Sequence, residues 1–211
     1  MTPNWHQVNS ISTCRIAREQ DIPEVAKVHL IAFPHFFLST LGFKFLCVMY
    51  RAFMYSPKNI FIVAEKNGVI QGFATGLMSS SGSDFQVALR FYPQFIYALS
   101  TVFFSQPLVI FKRIIYRLKS NSFKFEVNKS QVILRSFGIR PEYRGSGIAN
   151  DLIKEFEAQA VRRGIVSIAL TTDARDNERA IAFYSKNGFK IAKKFYQNDT
   201  RAMYLMEKFL T

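Results

Sequence analysis

A chain of 211 residues, 49% of them hydrophobic, buries one sizeable core and leaves no room for a string of independent domains. The formal charge of +13 excludes an acidic surface and points to a polyanionic partner, whether phosphate-bearing ligands, an anionic membrane face or nucleic acid. Cys14 and Cys47, the two cysteines, exclude a disulfide scaffold and, without metal-like spacing, read as reduced thiols of a cytoplasmic protein. The opening Met1 to Gln7 carries no apolar signal core, so secretion is not expected.

Residues 1–11 read as a lead-in to a single domain over 12–211. Thr13 to Arg18 makes a first strand, with Cys14, Ile16 and Ala17 apolar. Asp21 then reads as a helix cap, with Pro23 early and Glu24 three residues on, and that helix runs to about Phe33. Pro34-His35-Phe36-Phe37 breaks it. Leu38, Leu41, Phe45, Val48 and Ala52 then recur at helical spacing until Pro57. Ile60 to Ala64 and Ile70 to Leu77 are two strands joined by Lys66-Asn67-Gly68, a hairpin turn.

The middle of the chain is different. Phe85 to Phe125 contains no acidic residue and six basic ones: Arg90, Lys112, Arg113, Arg117, Lys119 and Lys124. Phe91 to Phe111 carries no charge, a length that can span a bilayer. A single crossing would put the strands on either side of it on opposite faces of a membrane, so it is rejected. Pro93 and Pro107 also interrupt the run. Helices around 92–104 and 108–118 are expected, either packed over the sheet or lying aromatic face down on anionic headgroups. Nucleic acid fits less well, because the basic cluster sits beside aliphatic bulk.

Next, Val132 to Ile139 is a strand whose apolar positions Leu134, Phe137 and Ile139 break strict alternation once, as a β-bulge does. It leads into Arg144-Gly145-Ser146-Gly147-Ile148-Ala149 at the start of a helix. Bare amides and the helix dipole make such a turn an anion cradle, and Arg144 adds a full charge. No Lys follows Gly147 as a Walker loop requires, and Asn150 stands where a dinucleotide loop has its third glycine. The helix ends at Arg162-Arg163-Gly164, and Ile165 to Leu170 is a strand parallel to the bulged one. Asp173 closes that strand. Asn177 to Phe189 is a helix with Ala180, Phe183 and Tyr184 on one face, and Phe189–Tyr196 with Arg201–Phe209 forms a closing hairpin.

Two stretches carry a family resemblance. Arg144 to Ala149 resembles the pyrophosphate loop of the GNAT superfamily of acyl-CoA-dependent N-acetyltransferases, although Glu142 departs from the stricter wording. Asn177-Glu178-Arg179-Ala180-Ile181-Ala182-Phe183-Tyr184-Ser185-Lys186-Asn187-Gly188-Phe189 resembles that superfamily's second signature. The opening order of strand, two helices and hairpin is similar too. The resemblance implies an α/β fold: a mixed central sheet flanked by helices, here with a helical insertion at about 84–125 between strands 3 and 4. It implies acetyl-CoA as co-substrate and no metal. Arg144, Gly145, Ser146, Gly147, Ile148 and Ala149 would hold the diphosphate, the backbone of Phe137, Gly138 and Ile139 the pantetheine arm, and Asn177 the cofactor. Tyr184 would be the general acid beside the sulfur. His35 and Asp173 are candidates on the acceptor side, each with an ordinary reading as a loop histidine and a turn cap.

The acceptor implied is a primary amine, with an amino-sugar nucleotide or lipid-linked amino sugar as the leading expectation. A protein or peptide amine, or a non-catalytic CoA-binding module at a membrane surface, are the alternatives. A small-molecule acceptor, an anionic membrane met through 85–125 and a second copy of the chain are the partners left open.

Overall fold

The computed structural model describes residues 12–78, 83–103, 130–197 and 200–210, with only the backbone described at 83–89 and 101–103. The elements are β1 Thr13–Ile16, α1 Ile22–Ala32, α2 Phe37–Thr40, α3 Gly42–Tyr55, β2 Ile60–Lys66, β3 Val69–Met78, α4 Ser83–Phe103 and β4 Gln131–Ile139, then α5 Ile148–Arg162, β5 Ser167–Asp173, α6 Glu178–Lys186, β6 Lys190–Gln197 and β7 Arg201–Phe209. Seven strands form one sheet in the order β1-β2-β3-β4-β5-β7-β6. Among the described residues only the central β4–β5 pair is parallel, with α5 as its crossover. This is the mixed α/β sheet that the sequence implies.

Period-two burial gives the sheet two faces. One face, with Phe61, Val63, Ile70 and Phe73, packs against Val25, Val28, Leu46 and Tyr50 of α1 and α3. The other, with Ile62, Ala74, Val132 and Leu134, packs against Leu152, Ile153 and Phe156 of α5. Gly76 of β3 is small because of α5: a Cβ there would run into the Phe156 ring. We expect Gly76→Ala to lower stability by roughly 1–3 kcal/mol, seen as a lower thermal midpoint, since α5 cannot retreat without opening its core.

The β2–β3 turn is as expected, with Asn67 and Gly68 both at positive φ, 52° and 77°. Three expectations need correction. Asp21 does not cap α1 through its side chain. Its carboxylate accepts instead from Arg15 at 2.7 Å and from the Arg18 amide at 2.7 Å, tying β1 to the helix entrance. The second helix is two, because Gly42 at φ 81° turns the chain between α2 and α3. The helix expected from about 92 begins at Ser83 and runs through Pro93. A mid-helix proline costs about 3 kcal/mol. Packing on α3 offsets this: Phe91 meets Tyr55, Phe95 meets Phe45, and Phe91 and Ala98 are buried. Residues 108–118, and with them Lys112, Arg113, Arg117, Lys119 and Lys124, lie outside the described residues. Among the described residues no helix is long and apolar enough to cross a membrane.

Candidate active site

The site starts with a mismatch inside the sheet. Along β3 and β4, Gly76 faces Leu134 and Thr75 faces Ser136, so Arg135 is an extra residue: the bulge falls where the broken alternation places it. Beyond it the two central strands part. Their parallel pairing ends at Leu134–Leu170, while β4 continues beside β3 to Ile139 and β5 continues beside β7 to Asp173. The result is a wedge between the carboxyl ends of two parallel strands, where ligands collect in open α/β sheets.

Register shows which amides face the wedge. The Arg140 amide donates to the Gln71 carbonyl at 2.9 Å, so Arg140 and, two residues back, Gly138 point toward β3. The amides of Phe137 and Ile139 therefore point the other way, to the side that β5 has left. The Arg140 guanidinium anchors the strand end, donating to the Ile70 carbonyl and to Glu24 of α1, each at 2.9 Å.

At the mouth of the wedge, Pro141–Tyr143 forms one 3-10 turn and Gly147 caps α5 in the left-handed region. Gly145 and Gly147 have φ of 83° and 93°, and a Cβ added at either would meet nothing within 4 Å. Glycine is needed there for backbone direction, and the space in front of the turn is open. The Arg144 amide is spent on the Pro141 carbonyl and the Ser146 amide, at 3.4 Å, on that of Tyr143. Among the described residues the amides of Gly145, Gly147, Ile148 and Ala149 have no protein acceptor, which leaves them open to an anion. Arg144 is exposed beside it. Asn150 is a tie rather than a defective glycine position: it accepts from Asn187 at the end of α6 at 3.3 Å.

Tyr184 comes to the wedge from α6. Its ring meets Phe137 edge-on at 6.2 Å and also contacts Phe183 and Phe189. Burial pushes its phenol well above the ordinary value near 10. The group therefore stays protonated through the neutral range, the state a proton donor needs. Asn177, immediately before α6, donates to the Thr172 hydroxyl at 2.6 Å and to the Asp173 carbonyl at 3.2 Å. Its nitrogen thus holds the end of β5.

The acceptor-side candidates separate. Asp173 is clamped by Arg201, whose guanidinium donates to both carboxylate oxygens, one at 2.6 Å. Arg201 in turn lies over the Phe36 ring, 5.7 Å from its centroid. Phe36, Arg201 and Asp173 therefore form a wall from the α1–α2 loop to the start of β7. His35 is exposed in that loop. Replacing Arg201 by alanine should raise KM for the acceptor more than KM for the acyl donor, because Arg201 joins the wall and touches no cradle residue.

The sequence reading missed His29 and Tyr50. Both sit on buried helix faces, 3% and 1% exposed, with His29 Nδ1 2.6 Å from the Tyr50 hydroxyl. A histidine on an apolar stripe, with a tyrosine on the next one, was the available signal. Burial pushes His29 down from 6.5 to about 4, so its ring is neutral at neutral pH. Protonation is then harder in the folded chain than in the unfolded one, and His29 draws stability away as pH falls from 6.5 toward 4. Thermal midpoints followed across that window should fall less steeply for His29→Leu than for wild type. The thiols are inert by the same physics: burial, with Asp151 and Glu155 nearby, pushes Cys14 up to about 11, and burial raises Cys47.

Residues 27–189 match the model of the acetyltransferase (GNAT) family. The chain belongs to the GNAT acetyltransferase family. Acetyltransferase SG1711 from Sodalis glossinidius (strain morsitans) is 43% identical over 49 residues, which are 23% of this GNAT chain and 34% of that protein. The match thus spans about a third of that relative's length. Among solved structures, yncA from Salmonella typhimurium with its cofactor acetyl-CoA superposes with a TM-score of 0.63 at 16% identity, over 96% of this chain and 95% of that one. The paia N-acetyltransferase of Thermoplasma acidophilum in complex with coenzyme A gives 0.56 at 16% identity, over 94% and 99%. At such identities these two likenesses speak for the fold alone.

Proposed function

We propose that this GNAT chain transfers an acetyl group from acetyl-CoA to a primary amine. The observation that carries the reading is the parting of β4 from β5 after Leu134, with the Phe137 and Ile139 amides facing the gap and Tyr184 beside it. The residues fit the donor. Open, glycine-permitted space and the amides of Gly145, Gly147, Ile148 and Ala149, with Arg144 alongside, suit a diphosphate. Acetyl-CoA would supply the acyl group as a reactive thioester. The Ile139 amide faces the gap and would donate to the thioester carbonyl oxygen on which negative charge grows as the amine adds. The protonated Tyr184 hydroxyl would give its proton to the departing sulfur, and the proton the amine loses as the amide forms would restore it. The Phe36–Arg201–Asp173 wall bounds the side from which the amine would arrive.

For the acceptor we propose an amino-sugar nucleotide or a lipid-linked amino sugar. The net charge of +13 and the exposed Lys190, Lys193 and Lys194 on β6 favour a phosphate-bearing molecule. The test is CoA release against amino-sugar nucleotides, polyamines, amino acids and peptides. Turnover with the sugar nucleotides supports the reading. Turnover with peptides alone moves the acceptor to protein amines, and no turnover with any amine together with no binding of CoA removes the enzyme assignment.

One observation favours a further contact with anionic lipid. Tyr92, Ile96 and Tyr97 stand 62%, 50% and 65% exposed on α4, with Lys44 over the Tyr97 ring. A Tyr92→Ser/Ile96→Ser variant should float less with anionic vesicles than wild type; equal flotation overturns this contact.

A further inference from the structure

Behind the bulge that opens the wedge lies a buried polar pair that the acyl-transfer chemistry above does not use. His29 and Tyr50 lie on the α1–α3 face of the sheet, joined by the 2.6 Å contact from Nδ1 to the phenol. On the same face Ser136 stands opposite Thr75. Ser136 is the first residue after the bulged Arg135, and the residues that follow it carry the two amides facing the wedge.

Packing ties the same pieces together independently. The His29 ring stacks on Phe73 with centroids 6.3 Å apart and leans on Phe33 at 5.0 Å. Phe73 is paired with Gly138 across the sheet. A Cβ on Gly138 would come within 2.8 Å of Phe73 and 3.1 Å of Phe33. The segment beyond the bulge thus lies pressed onto the cluster at Gly138, where a bare Cα lets it close in.

The His29 choice runs against stability. Among the described residues its Nε2 is buried with no hydrogen-bond partner, the sort of group an apolar side chain of similar size would spare the fold. What His29 supplies is a fixed partner for the Tyr50 hydroxyl, and the two rings together seat Phe73.

We propose that His29 and Tyr50 are positioning residues: through the Phe73 ring, which both of them touch and on which Gly138 is pressed, they set the bulged segment of β4 so that the Phe137 and Ile139 amides point at the acyl carbonyl. Neither touches the reacting atoms. A strand end with one edge unpaired would otherwise sample several directions, and an amide donor loses most of its strength once its angle falls off. Sub-ångström placement of such a donor is what makes it effective.

The inference rests on the acetyl-CoA reading, so the test measures the two separately. Calorimetry with CoA reports the cradle. Isotope-edited infrared spectroscopy of carbonyl-labelled acetyl-CoA reports the amide donors, because a hydrogen bond to the thioester oxygen lowers the stretching frequency. Wild type should bind CoA and shift the band down. Tyr50→Phe keeps the ring packing, should hold CoA affinity within about 2-fold, and should return the band toward its free position. His29→Leu should do the same to a lesser degree while its thermal midpoint stays at or above that of wild type, and His29→Asn, which keeps a polar atom near Nδ1, should recover the shift. A purely structural role would instead lower the midpoint together with the band shift. If the band in folded Tyr50→Phe matches wild type, the positioning role is wrong and the cofactor reading stands. If wild type itself gives no heat with CoA, the cofactor reading falls and this inference falls with it.

Discussion

Replacing Tyr184 by phenylalanine is expected to lower turnover by about 10²–10⁴-fold and to leave CoA affinity almost unchanged. The ring stays, and with it the edge contacts to Phe137, Phe183 and Phe189, so the α6 packing survives. Only the proton donor goes. A thiolate leaving into a desolvated wedge without a proton is poorly stabilised, and that is the step in which we propose that Tyr184 assists. The pH dependence gives a second handle. Burial raises this phenol above its ordinary value near 10, so the alkaline limb of kcat that it controls should lie above pH 10 rather than near neutrality. Stopped-flow or coupled thiol assays with the best acceptor from the screen check both points. A Tyr184→Phe enzyme with wild-type kcat would move the acid role elsewhere, while the fold and the cradle would stand.

Much of this site is written locally in the chain, and the parts that are not have a common cause. Glycine-x-glycine before a helical stripe specifies a turn with positive φ, because other residues avoid that region, and Gly145 and Gly147 are there. The spacing of Leu134, Phe137 and Ile139 specifies one extra residue, and Arg135 is it. Each is a property of a few consecutive residues. His29, Tyr50 and Gly138 are separated by 21 and then 88 positions, and nothing in any one segment marks them as parts of one cluster. The same holds for Phe36, Arg201 and Asp173. Asp21 was misread for a related reason: Asp followed three residues later by Glu fits a capping pattern, but Arg15 on the neighbouring strand claims the carboxylate at 2.7 Å. Propensity names the candidates for a local role, and tertiary charge pairing decides which of them fill it.

Gly147→Ala should separate stability from cofactor binding more sharply than any other single change. The residue sits at φ 93° and ψ −18°, off the left-handed well that an L side chain tolerates best. Forcing alanine there costs of order 1–3 kcal/mol in backbone strain. No steric term is added, since the new Cβ would meet nothing within 4 Å. The chain can relieve the strain by rotating the turn, and rotation re-aims the amides of Gly147, Ile148 and Ala149. Losing one charge-assisted amide–phosphate bond is worth about 1.5–3 kcal/mol, or roughly 10- to 100-fold in CoA affinity. Gly164→Ala is the matched control. Gly164 also sits at positive φ, 69°, with nothing within 4 Å of an added Cβ, but it follows the far end of α5. Both variants should melt a few degrees below wild type, for the same reason. Only Gly147→Ala should lose CoA affinity by calorimetry at modest salt. Equal affinities in the two variants would mean that the turn at the head of α5 binds no phosphate, and the donor would have to be sought elsewhere along the wedge.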